Sequence, residues 1–160
     1  MGAKPRFVAD AMLGSLARKL RIFGFDTVYF KEGEDSELEE VARKGSRIIL
    51  TSDKGLSKDA SRKGIPVLLL EGKTDRARLR AIALAYHLAL SRDDSRCAVC
   101  NGELERIGKA EARDARLPEG VVARHRIFYR CRSCSNLYWR GRHWVRLRRL
   151  SSAVRRKDIT

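Results

Sequence analysis

The chain has 160 residues, with 35 Lys and Arg against 20 Asp and Glu, a net charge of +15 and a sequence pI near 10.3. That length holds one medium domain, or a small domain beside a metal-stapled module. An excess of this size points to a polyanionic partner, and no stretch approaches the roughly 18 apolar residues a membrane span needs.

In chain order, residues 6–9 read as a short apolar strand ending at Asp10. Leu13, Leu16, Ala17, Leu20 and Phe23 then recur at helical spacing, with Gly24 as the cap. A second strand is expected over 27–30. A helix over 36–44 turns Leu38, Val41 and Ala42 inward and ends at Gly45. A buried strand over 47–51 is centred on Ile48-Ile49-Leu50. A helix over 56–63 ends at Gly64, a very apolar strand covers 66–70, and a long helix runs over 74–91 with Leu79, Ile82, Ala83, Tyr86 and Leu90 on one face. Strands alternating with helices predict an α/β fold with a mostly parallel sheet flanked by helices.

In such a sheet the functional crevice lies beyond the carboxyl ends of the strands. Asp10 follows the first strand, Asp35 opens the helix after the second, and Asp53 follows the third. Carboxylates gathered there repel one another, and Mg²⁺ or Mn²⁺, which favours carboxylate oxygens and water, relieves that repulsion and serves phosphoryl chemistry. Capping of the following helices is the plainer role for Asp35 and Asp53, but it does not account for Asp10. On the helix after Asp10, Arg18, Lys19 and Arg21 are either a phosphate-neutralising set or a solvated basic face. Lys54 and Lys58 carry the same two readings.

The second region is set by cysteine. Cys97-Ala98-Val99-Cys100 and Cys131-Arg132-Ser133-Cys134 are the only cysteines. Two such pairs complete the four sulfur ligands of a closed, structural Zn²⁺ site. Disulfides or an iron–sulfur cluster are the alternatives. No secretory leader stands at the N-terminus, and a reducing cytoplasm suits the zinc reading. Residues 96–103 form the first knuckle. Strands over 126–129 and 136–139 enter and leave the second, and 111–120, with Pro118, is expected to be a loop. Tyr129, Tyr138, Trp139, His143 and Trp144 interleave with arginines, a combination suited to stacking bases and gripping phosphates. Some of these aromatics are expected to serve instead as core around the zinc. Arg140, Arg142, Arg146, Arg148, Arg149, Arg155, Arg156 and Lys157 crowd the end of the chain. The expected organisation is residues 1–92, a zinc ribbon over 93–148 and a basic tail over 149–160.

Phe7-Val8-Ala9-Asp10-Ala11-Met12-Leu13-Gly14 with Leu16-Ala17-Arg18-Lys19-Leu20-Arg21 resembles the opening motif of the Mut-seven C-terminal RNase family. Ile48-Ile49-Leu50-Thr51-Ser52-Asp53 resembles its Thr-x-Asp signature. Cys97-Ala98-Val99-Cys100-Asn101-Gly102 and the stretch from Tyr138 to Trp144 are similar to its zinc ribbon. The resemblance implies a PIN-like nuclease domain followed by a zinc ribbon. It further implies a metal-dependent endoribonuclease that attacks with water and leaves a 5′-phosphate and a 3′-hydroxyl. It places catalytic, Mg²⁺- or Mn²⁺-binding carboxylates at Asp10, Asp35 and Asp53, and it lets Thr51 or Ser52 orient a metal-bound water. A fourth acid is not assigned, with Glu37, Glu39 and Asp59 as candidates. The expected RNA contacts are Arg18, Lys19, Arg21, Arg140, Arg142, Trp144, Arg146, Arg148 and Arg149, and the RNA partner extends to ribosomal RNA. A non-catalytic RNA- or ribosome-binding protein on the same fold is the alternative. A receiver-type phosphoacceptor is a weaker one, because Ala11 stands where a second acid belongs.

Overall fold

The structure is a computed structural model and describes residues 4–91 and 94–155; of these, the side chains of residues 142–144, 153 and 155 are outside the description. Four parallel strands, β1 (Phe7–Ala9), β2 (Thr27–Tyr29), β3 (Ile48–Thr51) and β4 (Val67–Leu69), lie in the order β2-β1-β3-β4. Phe7 pairs with Thr27 on one side and Ile48 on the other. Residues alternate between the faces, so β1 sends Phe7 and Ala9 into one core and Val8 into a second. Burial on both faces explains why these strands read as unbroken apolar runs.

The first face is covered by α1 (Gly14–Ile22) and α4 (Asp75–Ala85), through Leu13, Leu16, Ala17, Leu20, Leu79 and Ile82. The second is covered by α2 (Asp35–Gly45) and α3 (Lys54–Arg62), through Leu38, Ala42, Leu56 and Ala60. The α/β expectation is met, with two local differences. Gly45 is helical, and the left-handed position that ends α2 is Ser46, at φ 49°. Glycine is needed at 45 for room, since a Cβ there would stand 2.7 Å from Arg47 Nε. And α4 stops at Ala85, not at 91: His87 turns left-handed at φ 51° and Leu88 N–H donates back to Ala83 O at 2.9 Å, a Schellman closure. Leu90 still reaches the core from the turn that follows.

The second sheet is antiparallel, β5 (Leu104–Ile107), β6 (Phe128–Cys131) and β7 (Leu137–Trp139), in that order. The segment expected to be a loop instead carries α5 (Lys109–Asp114) and α6 (Glu119–Arg124). Ala112 and Val122 are fully buried there with Ile107 and Phe128. Glu111 caps α5 by accepting from Gly108 N–H, Arg116 turns the chain at φ 58°, and Pro118 opens α6, as its fixed φ allows.

The last element, α7 (Arg142–Arg155), crosses the expected boundary between ribbon and tail at 148/149. Residues 149–155 are therefore not an extended tail. Leu147, Leu150 and Val154 form an apolar stripe that joins the first core against α4. The remainder of the expected tail, 156–160, and the side chains of Arg142 and Trp144 lie outside the described residues. Among the described residues no helix is long and apolar enough to cross a membrane.

Candidate functional site at the carboxylate edge and the four-cysteine centre

Parallel strands end at one edge, and the chain places Asp10, Asp53 and Asp35 beyond β1, β3 and β2 there. Thr51, the last residue of β3 and fully buried, links two of them. Its hydroxyl donates to Asp10 Oδ2 at 2.7 Å and accepts from Asp53 N–H at 3.0 Å. Asp10 Oδ1 accepts only a long bond from Met12 N–H, 3.4 Å. Asp53 caps α3, its Oδ1 accepting from Gly55 and Leu56 N–H at 2.6 and 3.1 Å. Asp35 is the first residue of α2, exposed, while Glu34 takes the capping position. Among the described residues no cation pairs with any of the three.

The expected cluster forms only in part. Asp10 and Asp53 share Thr51, but Asp10, Asp35 and Asp53 do not make a closed ligand set: among the described residues the cysteines are the group of three or more whose ligand atoms lie within 4.8 Å of one another. The carboxylates of Asp10 and Asp53, residues joined through Thr51, suit a hydrated Mg²⁺ or Mn²⁺, which takes one or two carboxylates and completes its shell with water and substrate phosphate. The hydroxyls act differently from expectation. The Thr51 hydroxyl proton goes to the Asp10 carboxylate and its oxygen accepts from Asp53 N–H, while Ser52 Oγ donates to Leu70 O at 2.8 Å.

The candidates for the fourth acid are held in different ways. Glu37 accepts from Glu34 N–H, Glu39 is buried and paired with Lys63, and Asp59 lies beside Arg62 on α3. The reading by sequence missed Asp75, which opens α4 on the same edge. It accepts from Ser15 Oγ at 2.7 Å and Lys19 Nζ at 2.6 Å. Burial pushes its carboxyl up, and the bonds from Lys19 and Ser15 more than reverse that, leaving it below the usual range. The signal was present, since Thr74-Asp75 follows β4 as the other acids follow their strands.

The basic set also divides. Arg18 is exposed. Lys19 is committed to Asp75. Arg21 is a correction: it is only 6% exposed. Its Nε donates to Thr27 O, and one terminal nitrogen donates to Ala98 O and Val99 O at 2.9 and 2.8 Å. A guanidinium held by three carbonyls is not available to RNA. Burial lowers its pKa from the usual arginine value. On α7, Arg146, Arg148 and Arg149 are exposed, and Arg140 is exposed ahead of it.

The four cysteines come together as expected. Cys97 and Cys134 sulfurs lie 3.5 Å apart and Cys100 and Cys131 sulfurs 3.4 Å, far beyond a disulfide bond of about 2.05 Å. A Zn–S length of about 2.3 Å in a tetrahedron sets sulfurs about 3.8 Å apart, so the donor set fits one zinc ion. Each knuckle closes alike. Asn101 N–H donates to Cys97 O and Ser135 N–H to Cys131 O, with left-handed residues at Asn101 and Ser135. Bonds from Cys100 N–H to Cys97 Sγ, Gly102 N–H to Cys100 Sγ and Ser133 N–H to Cys131 Sγ support thiolate charge. Donation from Asn136, backbone and side chain, draws the Cys134 thiol down to about 6. Gly102 is required here because a Cβ would stand 2.6 Å from Ser133 Oγ and 2.9 Å from Cys131 Sγ. Tyr138 bonds Cys97 Sγ at 2.9 Å, which makes it part of the metal surround; Trp139 remains partly exposed.

The first knuckle is bolted to the opposite edge of the parallel sheet. Asn101 Oδ1 accepts from Thr27 N–H and its Nδ2 donates to Asp26 Oδ1 at 2.7 Å. Asp26 also binds Arg6 and both terminal nitrogens of Arg47. Burial raises its pKa, but the bonds from Arg47, Asn101 and Arg6 prevail and hold it far below the carboxylate range. Nothing in the local sequence announces this hub, because its members stand at residues 6, 26, 47 and 101.

Residues 5–151 match the Mut7-C RNAse domain family. Over 101 residues, 60% of this chain, the sequence is 38% identical to the human protein "Exonuclease mut-7 homolog", and the matched stretch is 12% of that protein's length. No solved structure matches the chain. The edge that leaves Asp10 and Asp53 uncompensated and the paired cysteine knuckles thus lie in a chain that belongs to the Mut7-C RNase domain family.

Proposed function

We propose that this protein is a metal-dependent endoribonuclease of PIN type, hydrolysing RNA to 5′-phosphate and 3′-hydroxyl ends. One observation carries the reading: in a chain of net charge +15, Thr51 holds the Asp10 carboxylate and the Asp53 backbone, and among the described residues neither acid has a cationic partner. Cations elsewhere neutralise Asp26, Glu39 and Asp75, so open carboxylates at this edge have a use. A bound Mg²⁺ or Mn²⁺ would supply an activated water and charge stabilisation at the phosphate. Asp10 and Asp53 would hold it, with Asp35 approaching from α2. Arg18 stands exposed on the helix that follows Asp10, and Arg146, Arg148 and Arg149 project from α7 opposite its buried stripe. These side chains suit the phosphates of an RNA strand. Arg140, Arg142 and Trp144 belong to the same proposed grip. The ribbon holds a structural zinc, and its reduced thiols suit a cytoplasmic setting.

The test is cleavage of end-labelled single-stranded and hairpin RNA with Mn²⁺, with EDTA, and by Asp10→Asn. Cutting that needs Mn²⁺ and Asp10 is expected. The second reading, a non-catalytic RNA- or ribosome-binding module, is favoured by the lack, among the described residues, of three carboxylates whose ligand atoms lie within 4.8 Å of one another. Tight RNA binding with no cutting under any of these conditions would install it instead.

A further inference from the structure

Asp10 is held from two sides, and only one belongs to the Thr-x-Asp motif. The other begins at Tyr29, the last residue of β2. Its hydroxyl donates to Ala11 O at 2.9 Å. Its ring lies over Gly14 so closely that a Cβ there would meet Cζ at 2.9 Å and Oη at 3.0 Å. Ala11 opens the 3₁₀ turn Ala11–Leu13 that follows Asp10. The turn is closed by Leu13 N–H on Asp10 O at 2.9 Å and by the long Met12 contact to Oδ1. Met12 itself is 72% exposed, so its side chain anchors nothing. The outward oxygen of Asp10 thus depends on a turn tied to β3 by Asp10 N–H on Leu50 O at 3.1 Å and to β2 by the Tyr29 hydroxyl on Ala11 O, beyond the Thr51 bond to Oδ2. β2 is an edge strand, and Tyr29 is the point at which it grips the catalytic edge.

We propose that Tyr29 is a positioning residue for Asp10, clamping the 3₁₀ turn so that Oδ1 faces the metal and phosphate while Thr51 fixes Oδ2. The inference rests on the nuclease reading for its functional meaning. Gly14 is glycine so that the ring can close over the turn.

The test uses the full chain and two variants, Tyr29→Phe, which keeps the ring and removes the tether, and Gly14→Ala, which pushes the ring away. The first readout needs no activity. Hydrogen exchange at the Met12 and Leu13 amides should quicken in Tyr29→Phe, while Val8 in β1 stays protected. Unchanged exchange overturns the clamp. The second is Mn²⁺ binding, followed by the free-ion paramagnetic signal, beside kcat against Mn²⁺ concentration. Half-saturation should rise about tenfold in both variants, as for groups that orient a ligand without touching the metal, with the unfolding midpoint of Tyr29→Phe close to the parent's. Parental Mn²⁺ affinity in Tyr29→Phe overturns the positioning role. A parent that neither binds Mn²⁺ nor cuts RNA defeats the nuclease reading itself, a result distinct from a variant that matches an active parent.

Discussion

The two edges of the parallel sheet treat the same residue type in opposite ways. At one edge Asp26 is wrapped by Arg6, Arg47 and Asn101. At the other, Asp10 and Asp53 receive only a hydroxyl and backbone N–H groups. Cations fix a carboxylate and cancel its charge; neutral donors fix it and leave the charge in place. The first arrangement ties elements of the structure together, and the second, on the proposed function, keeps a carboxylate ready for an incoming cation. With 35 Lys and Arg in the chain, the absence of an ion pair at Asp10, Asp35 and Asp53 among the described residues is the feature that separates them.

The most severe way to break the structural edge is to remove its metal. Cys131→Ala should lose the zinc, about one ion per intact chain, and unfold the ribbon, since structural zinc contributes on the order of 10 kcal/mol in small modules. Zinc content and near-ultraviolet circular dichroism read this directly, and a variant that retains both would show that the cysteines hold no ion. Asp10→Asn tests the open edge. Cleavage should fall at least a hundredfold, a loss of about 3 kcal/mol of transition-state stabilisation, while urea unfolding stays within about 0.5 kcal/mol of the parent. The mirror-image variant is Asp26→Asn. It should cost roughly 2 kcal/mol by leaving Arg47 half-satisfied, with cleavage per folded molecule unaltered. If Asp26→Asn abolished cutting without loss of stability, the division of labour between the edges would be refuted.

Acid sharpens the same contrast. Because the Asp26 pKa is depressed on folding, its contribution is complete above the unfolded carboxylate value of about 4 and is lost as pH falls below it. The parent should therefore destabilise on acidification below about pH 4 more steeply than Asp26→Asn. The smallest effect is expected for Arg21→Lys. An ammonium cannot span Thr27 O and the two knuckle carbonyls together, so about 1 kcal/mol should be lost, seen as a lower urea midpoint.

Much of this was legible in the residues because the governing patterns are local. Phe7–Ala9 is an apolar run followed at once by Asp10, Ile48-Ile49-Leu50 is one followed within three residues by Asp53, and the paired cysteines announce one site. What the sequence hid was long-range or masked by charge. Arg21 looked like part of a basic face, yet it stands one turn beyond Ala17 beside the buried stripe, where the knuckle carbonyls receive it. Leu147, Leu150 and Val154 have helical spacing, but the arginines between them made the segment read as ribbon and tail. The helices α5 and α6 were missed because each buries a single fully enclosed side chain, Ala112 and Val122, too few to set a period. Asp75 was hidden because the side chains that hold it, Ser15 and Lys19, stand about 60 positions earlier in the chain.

The docking of α7 has a consequence for the order of events in synthesis. The face of α4 that Leu147, Leu150 and Val154 cover must wait for residues about 70 positions later in the chain. Contacts across such separations form late, after local helices and neighbouring strands. A nascent chain would carry its carboxylate edge long before its first core is closed. A chain of this family would then close its first core only once α7 has been made.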